Sequence, residues 1–255
     1  MDTHTIHTIA AHAHTTTGTD STRRHALAQR AKTGDLVRIA PGYYLDTEAI
    51  TTHPEPSFVV ILARMLALRD KHPHLIASGP TAAYLQGLPL LCEHPLHFTT
   101  ISDQHPRPIA LPTIHTSSLV FPAVTVRPHR QRQRRSPTMI HYSDDIVGTA
   151  LEDTIIECAL TLDQEEAFVV ACAGLHELAR YRRFYRDDSR QREENNRSRL
   201  LRLIGSVGPH TPGRTSARWV ITHADAGCDS AGESRLLYLL TKASLQGLET
   251  QYPVS

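Results

Sequence analysis

Glu233 lies at the start of an apolar stretch, DSAGESRLLYLL (Asp229–Leu240), where its carboxylate could do chemistry. A carboxylate at such a position can help to hold Mg²⁺, because this hard cation prefers oxygen ligands. The same spacing fits a capping box, in which Ser230 accepts a hydrogen bond from the backbone N–H of Glu233 and the Glu233 carboxylate accepts one from the N–H of Ser230. Since the cap explains the glutamate without a metal, we predict the capping role.

A basic segment, DSTRRHALAQRAKTG (Asp20–Gly34), carries side chains that suit nucleic acid. Asp20 or Ser21 is placed to cap a helix of about three turns, and Gly34 to end it. Arginine and lysine donate hydrogen bonds to phosphates and to the edges of bases. A basic amphipathic surface helix is the alternative, and the spacing alone does not decide between the two.

The next segment, DLVRIAPGYYLD, predicts a two-stranded ribbon around Pro41-Gly42. Pro-Gly suits a type II turn better than the turns of tight hairpins, so we expect a longer loop or a bulge. A helix followed by a ribbon is the order found in the second half of a winged helix-turn-helix, whose helix enters the major groove. The candidate DNA-contacting residues are Arg23, Arg24, Arg30, Lys32 and Arg38, with His25 and Gln29 as further donors.

Two other arginine clusters are possible anion contacts. The run Arg127–Pro137 contains five arginines and no acid, and we consider both a hairpin tip on nucleic-acid phosphate and a solvated loop. Its secondary candidates are Arg130, Arg132, Arg134 and Arg135. The segment Arg180–Arg186 mixes arginines with aromatic residues, but acids follow it, so we favour a solvated helix face.

Histidines and cysteines give weaker signals. Residues 1–19 are rich in His and Thr and poor in apolar residues, so we predict a disordered tail. Its histidines would bind a transition metal only if they converged; they are His4, His7, His12 and His14. The four cysteines show no C-x-x-C spacing, and we expect them to be reduced and mostly buried.

Composition is that of a soluble globular protein, with 40% hydrophobic and 21% charged residues. The net charge of +1 means that affinity for a polyanion must come from local patches. No apolar run reaches the length of a membrane span and no signal peptide is evident, so we expect a cytoplasmic protein. Phosphate-binding loops, dinucleotide fingerprints, nucleophile elbows and H-E-x-x-H are absent from the sequence, which argues against several common enzyme classes.

The pattern of elements predicts an α+β fold. A buried helix is expected within Pro54–Pro73, and a short one from Pro80 to Gly87. Strand-like runs then predict a small antiparallel sheet; they are Leu96–Ser102, Thr113–Leu119, Ala123–His129 and Thr138–Ser143. Three helices follow, and a capping box from Asp163 to Glu166 starts the second of them. The predicted divisions are a tail (1–19), a winged-helix-like module (20–52), an α/β middle domain (53–148), a helical region (149–225) and an endonuclease-like start (226–255).

Four segments, in this order, resemble a group of actinobacterial proteins similar to the abortive-infection antitoxin AbiEi; they are GDLVRIAPGYYLD, SGPTAAYLQGLPLL, TALEDTIIECALTLDQEEAFVVACAG and DSAGESRLLYLL. The resemblance implies an N-terminal winged helix and a C-terminal region like the very-short-patch-repair and restriction endonucleases of the PD-(D/E)XK fold. In that fold a glutamate on the first helix and later acids hold Mg²⁺. Glu233 matches the first acid, and no acid pair follows it, so we expect an incomplete domain in which Glu233 is vestigial.

Two further departures from the family pattern concern the wing and the paired helices. Ala40 and Pro41 stand where the wing of these proteins usually has basic residues, and only Arg38 remains. Leu151 and Glu152 stand where the first paired helix usually has an arginine. The absence of basic residues at Ala40 and Pro41 weakens the expectation that the wing contacts phosphate.

The sequence therefore predicts a DNA-binding transcriptional regulator of the type IV antitoxin kind, without catalytic activity or cofactor. Its expected partner is double-stranded DNA, with a cognate toxin protein as an open alternative. A Mg²⁺-dependent endonuclease is the second hypothesis, and a module that neutralises a toxin by binding it is the third. No membrane and no small-molecule substrate is expected.

Overall fold

The structure is a computed structural model, and it describes residues 3–94, 96–100, 107–130, 138–142, 146–245, 248 and 250. Only the backbone is described for residues 3–5 and 130.

The fold is mixed α+β. The helices are α1 (Thr3–Ala11), α2 (Ser21–Thr33), α3 (Thr47–Thr51), α4 (Pro56–Lys71), α5 (Gly79–Leu85), α6 (Leu151–Thr161), α7 (Gln164–Ala179), α8 (Arg186–Ser206), α9 (Arg214–His223) and α10 (Ala231–Lys242), with a 3-10 turn at Arg183–Tyr185. The strands are β1 (Ala13–Thr15), β2 (Leu36–Ala40), β3 (Tyr43–Asp46), β4 (Leu75–Ala77), β5 (Phe98–Thr100), β6 (Ile109–Leu111), β7 (Ile114–His115), β8 (Val120–Phe121), β9 (Val124–Val126), β10 (His129–Arg130), β11 (Met139–His141) and β12 (Val147–Thr149).

The chain divides into two compact units. Unit 1 comprises Met1–Ala77, Pro95–Arg130 and Ile140–Gly148. Unit 2 comprises Ser78–His94, Gln131–Met139 and Thr149–Ser255. In the described part of the chain, no helix combines the length and the apolar character that crossing a membrane requires.

The N-terminal segment of unit 1 is folded, which corrects the prediction of a disordered tail for residues 3–15. Ile6 and Ile9 of α1 are 1% and 4% exposed, and α1 packs against α4. Strand β1 pairs antiparallel with β3, so that the sheet order is β1-β3-β2. The segment is held in place by contacts with residues far along the chain, through its two buried isoleucines and the edge strand β1. Its polar composition does not indicate these contacts.

Helix α2 and the ribbon form as predicted. Asp20 caps α2 by accepting a hydrogen bond from the N–H of Arg23 (2.8 Å), and Gly34 ends it in the left-handed conformation (φ 89°). Gly42 at the ribbon turn also has a positive φ (76°), which a residue without Cβ adopts at little cost. The pairing of β2 with β3 shifts between Arg38 and Ala40, which confirms the expected bulge.

Helix α4 is the buried helix that its apolar run and flanking prolines predict. Its one charged interior residue, Arg64, is 5% exposed. The Nη2 of Arg64 donates to the carbonyl oxygens of Pro112 (3.0 Å) and Pro122 (2.8 Å), whereas its buried Nε has no hydrogen-bond partner among the described residues. Burial lowers the pKa of Arg64 below its ordinary value.

The larger sheet of unit 1 is mixed, with the order β10-β5-β4-β12-β11, so the predicted runs do not form one antiparallel sheet. Strands β7 and β9 instead pair antiparallel with β8 and β6 in two separate two-stranded sheets. Strands β4 and β5 are antiparallel, whereas β10 pairs parallel with β5 and β12 pairs parallel with β4. The predicted strand runs do contain β5, β7, β9 and β11. Strand β4 has only three residues, all buried, so it shows no alternation of apolar and polar residues that a sequence pattern could reveal.

Unit 2 contains α5–α10, with a main apolar core and a smaller apolar cluster that includes Ala83 of α5. Ile155, Leu200 and Ile204 are fully buried in the main core. Phe168 of α7 lies between aromatic residues of α9 and α10, with ring centroids 6.0 Å from Trp219 and 5.6 Å from Tyr238. These rings fix the positions of α9, which the sequence pattern did not predict, and of α10.

The predicted capping box at α7 forms only in part. Asp163 accepts a hydrogen bond from the N–H of Glu166 (3.0 Å), as expected. The carboxylate of Glu166 instead accepts hydrogen bonds from the N–H groups of Leu91 (2.7 Å) and Cys92 (3.2 Å) and contacts His94. Burial alone would raise the pKa of Glu166, but these bonds hold it below its ordinary value. The residue therefore joins α7 to the loop that follows α5.

Candidate nucleic-acid interface

Helix α2 presents most of its surface to solvent. Leu27 is its one buried residue, and the helix contains no acidic residue. Arg23 and Arg30, seven residues apart, lie on the same side of the helix as Leu27 and flank it, whereas His25, Gln29 and Lys32 point away from Leu27. All five of the predicted DNA-contacting residues are exposed, namely Arg23, Arg24, Arg30, Lys32 and Arg38. The structure thus leaves the cations of α2 open to solvent on both sides of the helix.

Arg38 lies on the ribbon that follows α2. It is exposed between the buried Val37 and Ile39, and it pairs across the ribbon with Tyr44. Leu36 and Ala40, two residues to either side, are buried, so Arg38 is the one exposed position of β2. Helix and ribbon therefore both offer cations, although nearly all of them are on the helix.

Asp46 at the end of the ribbon connects three elements. Its carboxylate contacts Nη2 of Arg30 (3.2 Å), Nδ1 of His12 (3.1 Å) and Nε2 of His14 (3.1 Å). Burial alone would raise the pKa of Asp46, but hydrogen bonds from His14 and His12 and the charge of Arg30 hold it below its ordinary value. The carboxylate thereby orients Arg30 and neutralises part of its charge.

The sequence did not predict this cluster. His14 is in β1 and His12 directly precedes this strand, so the period of an extended chain would have placed both on one face. The spacing of the two histidines indicates a shared face only if the segment is extended, and its polar composition does not predict a strand. The remaining tail histidines do not join the cluster in the described structure, where His7 is exposed; the side chain of His4 lies outside the described residues.

Of the second predicted patch, the structure describes only one end. Arg130 is in β10, at one edge of the five-stranded sheet, while β11 is at the other edge. Strands β10 and β11, which flank the run, are therefore not paired with each other as the two strands of a hairpin would be. Arg132, Arg134 and Arg135 lie outside the described residues, so their contact with phosphate stays a prediction.

The third arginine cluster is partly exposed. Tyr181 is 6% exposed and belongs to the core of unit 2, whereas Phe184 is 82% and Tyr185 61% exposed. The guanidinium of Arg183 lies 4.7 Å from the centroid of the Phe184 ring. The acids Asp187 and Asp188 follow in the first turn of α8, which weakens any attraction for an anion.

Glu233 is exposed and acts as part of a helix cap. Ser230 accepts a hydrogen bond from the N–H of Glu233 (3.1 Å), which confirms the predicted cap. The carboxylate of Glu233 accepts its bond from the N–H of Asp229 (2.7 Å), one residue before the predicted donor. Among the residues that the structure describes, Glu233 belongs to no cluster of three potential metal ligands.

No protein-family model matches the chain, and no curated protein matches it. The resemblance to AbiEi-like antitoxins therefore stays a prediction from the four segments that carry it.

Proposed function

We propose that this protein is a double-stranded-DNA-binding regulator of the antitoxin-like type, with α2 in the major groove and the β2–β3 ribbon along the backbone. The observation that carries the proposal is that the arginines and the lysine of α2 are all exposed. A helix of 13 residues with a single buried side chain and no acid contributes little to a core. Its exposed cations support binding to an anionic partner.

The dimensions of α2 suit the major groove. Thirteen residues extend about 20 Å along the helix axis, and an α-helix fits the groove of B-DNA, which is about 12 Å wide. Strand β1 pairs with β3, so the ribbon that follows α2 is supported along one edge. This support would hold Arg38 in a fixed position relative to the helix.

Charge determines how strongly the affinity should depend on salt. Each neutralised phosphate contributes about −0.9 to the slope of log K against log salt concentration. Arg30 already contacts Asp46, and Nε of Arg24 donates to the carbonyl oxygen of Asp20 (3.3 Å). Arg23, Lys32 and Arg38 are therefore the most available cations, and three full contacts give a slope of about −2.7.

The test is a fluorescence-anisotropy titration of a labelled mixed-sequence duplex over a series of salt concentrations. The double variant Arg23→Ala/Lys32→Ala should make the slope less negative by about 1.8, because two phosphate contacts are lost. Arg202→Ala/Arg218→Ala is the matched control, since it removes the same charge from exposed positions on α8 and α9. Binding that does not depend on salt, or an equal change in the control, would refute the proposal.

The endonuclease hypothesis receives no support from the described residues. Glu233 is engaged with the backbone at the start of α10. We therefore do not propose a nuclease activity.

A further inference from the structure

A second cluster lies in unit 2, far in sequence from the basic helix. Cys92 and His94 belong to the loop that follows α5, and Glu166 is in the first turn of α7. Sγ of Cys92 is 3.4 Å from Nε2 of His94 and 3.5 Å from Oε2 of Glu166. Nε2 of His94 is 2.9 Å from the same carboxylate oxygen. One sulfur, one nitrogen and one oxygen atom therefore form a small triangle.

The size of this triangle is close to that of one face of a tetrahedral zinc site. Zinc bonds of about 2.3 Å to sulfur, 2.0–2.1 Å to nitrogen and 2.0–2.2 Å to oxygen place the ligand atoms about 3.6 Å (S to N), 3.4 Å (N to O) and 3.6 Å (S to O) apart. Each observed distance is within about 0.5 Å of that value. Small movements of the exposed Cys92 and the loop would complete the geometry.

The most buried of the three side chains is held in place by other groups. Glu166 is 1% exposed, and its Oε1 accepts the N–H groups of Leu91 (2.7 Å) and Cys92 (3.2 Å). These bonds orient the carboxylate so that Oε2 is the atom nearest to His94. Groups that orient a ligating carboxylate in this way are typical of metal sites.

We propose that Cys92, His94 and Glu166 bind one Zn²⁺ ion. A thiolate, an imidazole and a carboxylate together match the borderline-soft character of zinc, whereas Mg²⁺ and Ca²⁺ prefer oxygen ligands and Cu(I) prefers sulfur. Cys92 is exposed, so water reaches the fourth position of the tetrahedron. The site joins the loop after α5 to the start of α7, and it is independent of the DNA-binding proposal.

Cobalt substitution tests the site directly. The full chain is produced without a histidine tag, treated with a chelator and titrated with Co²⁺. One equivalent should give the visible bands of tetrahedral cobalt and an ultraviolet charge-transfer band from the thiolate. Co²⁺ bound only to His12 and His14 would lack the thiolate band, so the N-terminal histidines cannot imitate this result.

Variants assign the ligands. Cys92→Ser should abolish the thiolate band, and His94→Gln should weaken Zn²⁺ binding by at least about 100-fold, because even groups that only orient a ligand contribute 10- to 100-fold. His210→Gln changes an exposed histidine elsewhere in unit 2 and should leave the affinity unchanged. Zn²⁺ should raise the melting temperature of the wild type and of His210→Gln, but not that of His94→Gln.

The opposite results would overturn the proposal. Folded wild-type protein that gives no thiolate band with Co²⁺ has no such site. A band that persists in Cys92→Ser comes from another cysteine, and Zn²⁺ binding by His94→Gln with unchanged affinity excludes the imidazole. Circular dichroism of each variant establishes that it is folded, and His94→Gln alone decides the question if Cys92→Ser does not fold.

Discussion

Glu193 and Glu194 are neighbours on α8 and differ in burial, which allows a direct test of what holds unit 2 together. The side chain of Glu193 is 3% exposed; its carboxylate contacts Arg190 (2.6 Å) and Arg197 (2.5 Å) and accepts the N–H of Ala226 (3.0 Å). The side chain of Glu194 is 64% exposed and contacts only the Nε of Arg197 (3.3 Å) among the described ion pairs. Replacement of each by alanine removes the same charge from adjacent positions.

The expected magnitudes follow from burial. Removal of one partner from a buried ion pair costs about 3–5 kcal/mol, because it leaves the other charge without compensation. Arg190 keeps its contact with Asp225 (2.7 Å), and Nη1 of Arg197 keeps the carbonyl oxygen of Ala224 (2.6 Å), so Glu193→Ala should cost about 3 kcal/mol. An exposed pair contributes at most about 1 kcal/mol, and Glu194→Ala should cost less than that.

Urea denaturation followed by circular dichroism measures both free energies of unfolding, and calorimetry should show a fall of about 6–12 °C in melting temperature for Glu193→Ala. The helix propensity of the two positions changes equally, so the difference between the variants isolates burial. Equal losses, or a loss below about 1 kcal/mol for Glu193→Ala, would refute the structural role of this network.

Two other expectations concern backbone conformation and pH. Gly213→Ala should destabilise the protein by more than about 1 kcal/mol, because Gly213 has φ 82° and an added Cβ would meet a backbone carbonyl of α6; Gly205→Ala, in open space within α8, should stabilise it by about 0.5–1 kcal/mol. Chemical denaturation should show a lower free energy of unfolding for Gly213→Ala and a higher one for Gly205→Ala. Burial alone would raise the pKa of Asp225, but Arg190 and other donors hold it below its ordinary value. The unfolded chain therefore binds more protons, and the stability that Asp225 contributes is complete above its unfolded pKa and lost as the pH falls through the lower folded pKa. Asp225→Asn should flatten the dependence of melting temperature on pH below about 4, and an unchanged profile would contradict this account.

Elements with local signals were predictable from the sequence. The limits of α2 follow from Asp20 and Gly34, and the bulged ribbon follows from Pro41-Gly42, because caps and turns depend on residues within a few positions of one another. The start of α10 at Ser230 is a further case. The exposed cations of α2 were predictable for the same reason.

Features that depend on distant partners were not predictable. The segment 3–15 is folded because Ile6 and Ile9 are buried and because β1 pairs with β3. The polar composition of the segment indicates neither contact. The mixed sheet joins short strands whose partners are far along the chain, so alternation within each strand does not determine its neighbours.

Glu166 shows the distinction most clearly. The sequence by itself determined that it lies three residues after the cap of α7, and the hydrogen bond from its N–H to Asp163 confirms that position. Only the tertiary structure decided where its carboxylate points, because the groups that contact it, on Leu91, Cys92 and His94, are more than 70 residues away in the sequence. A backbone position is specified by near neighbours along the chain, whereas the partner of a buried charge depends on which distant groups the fold brings within hydrogen-bonding distance.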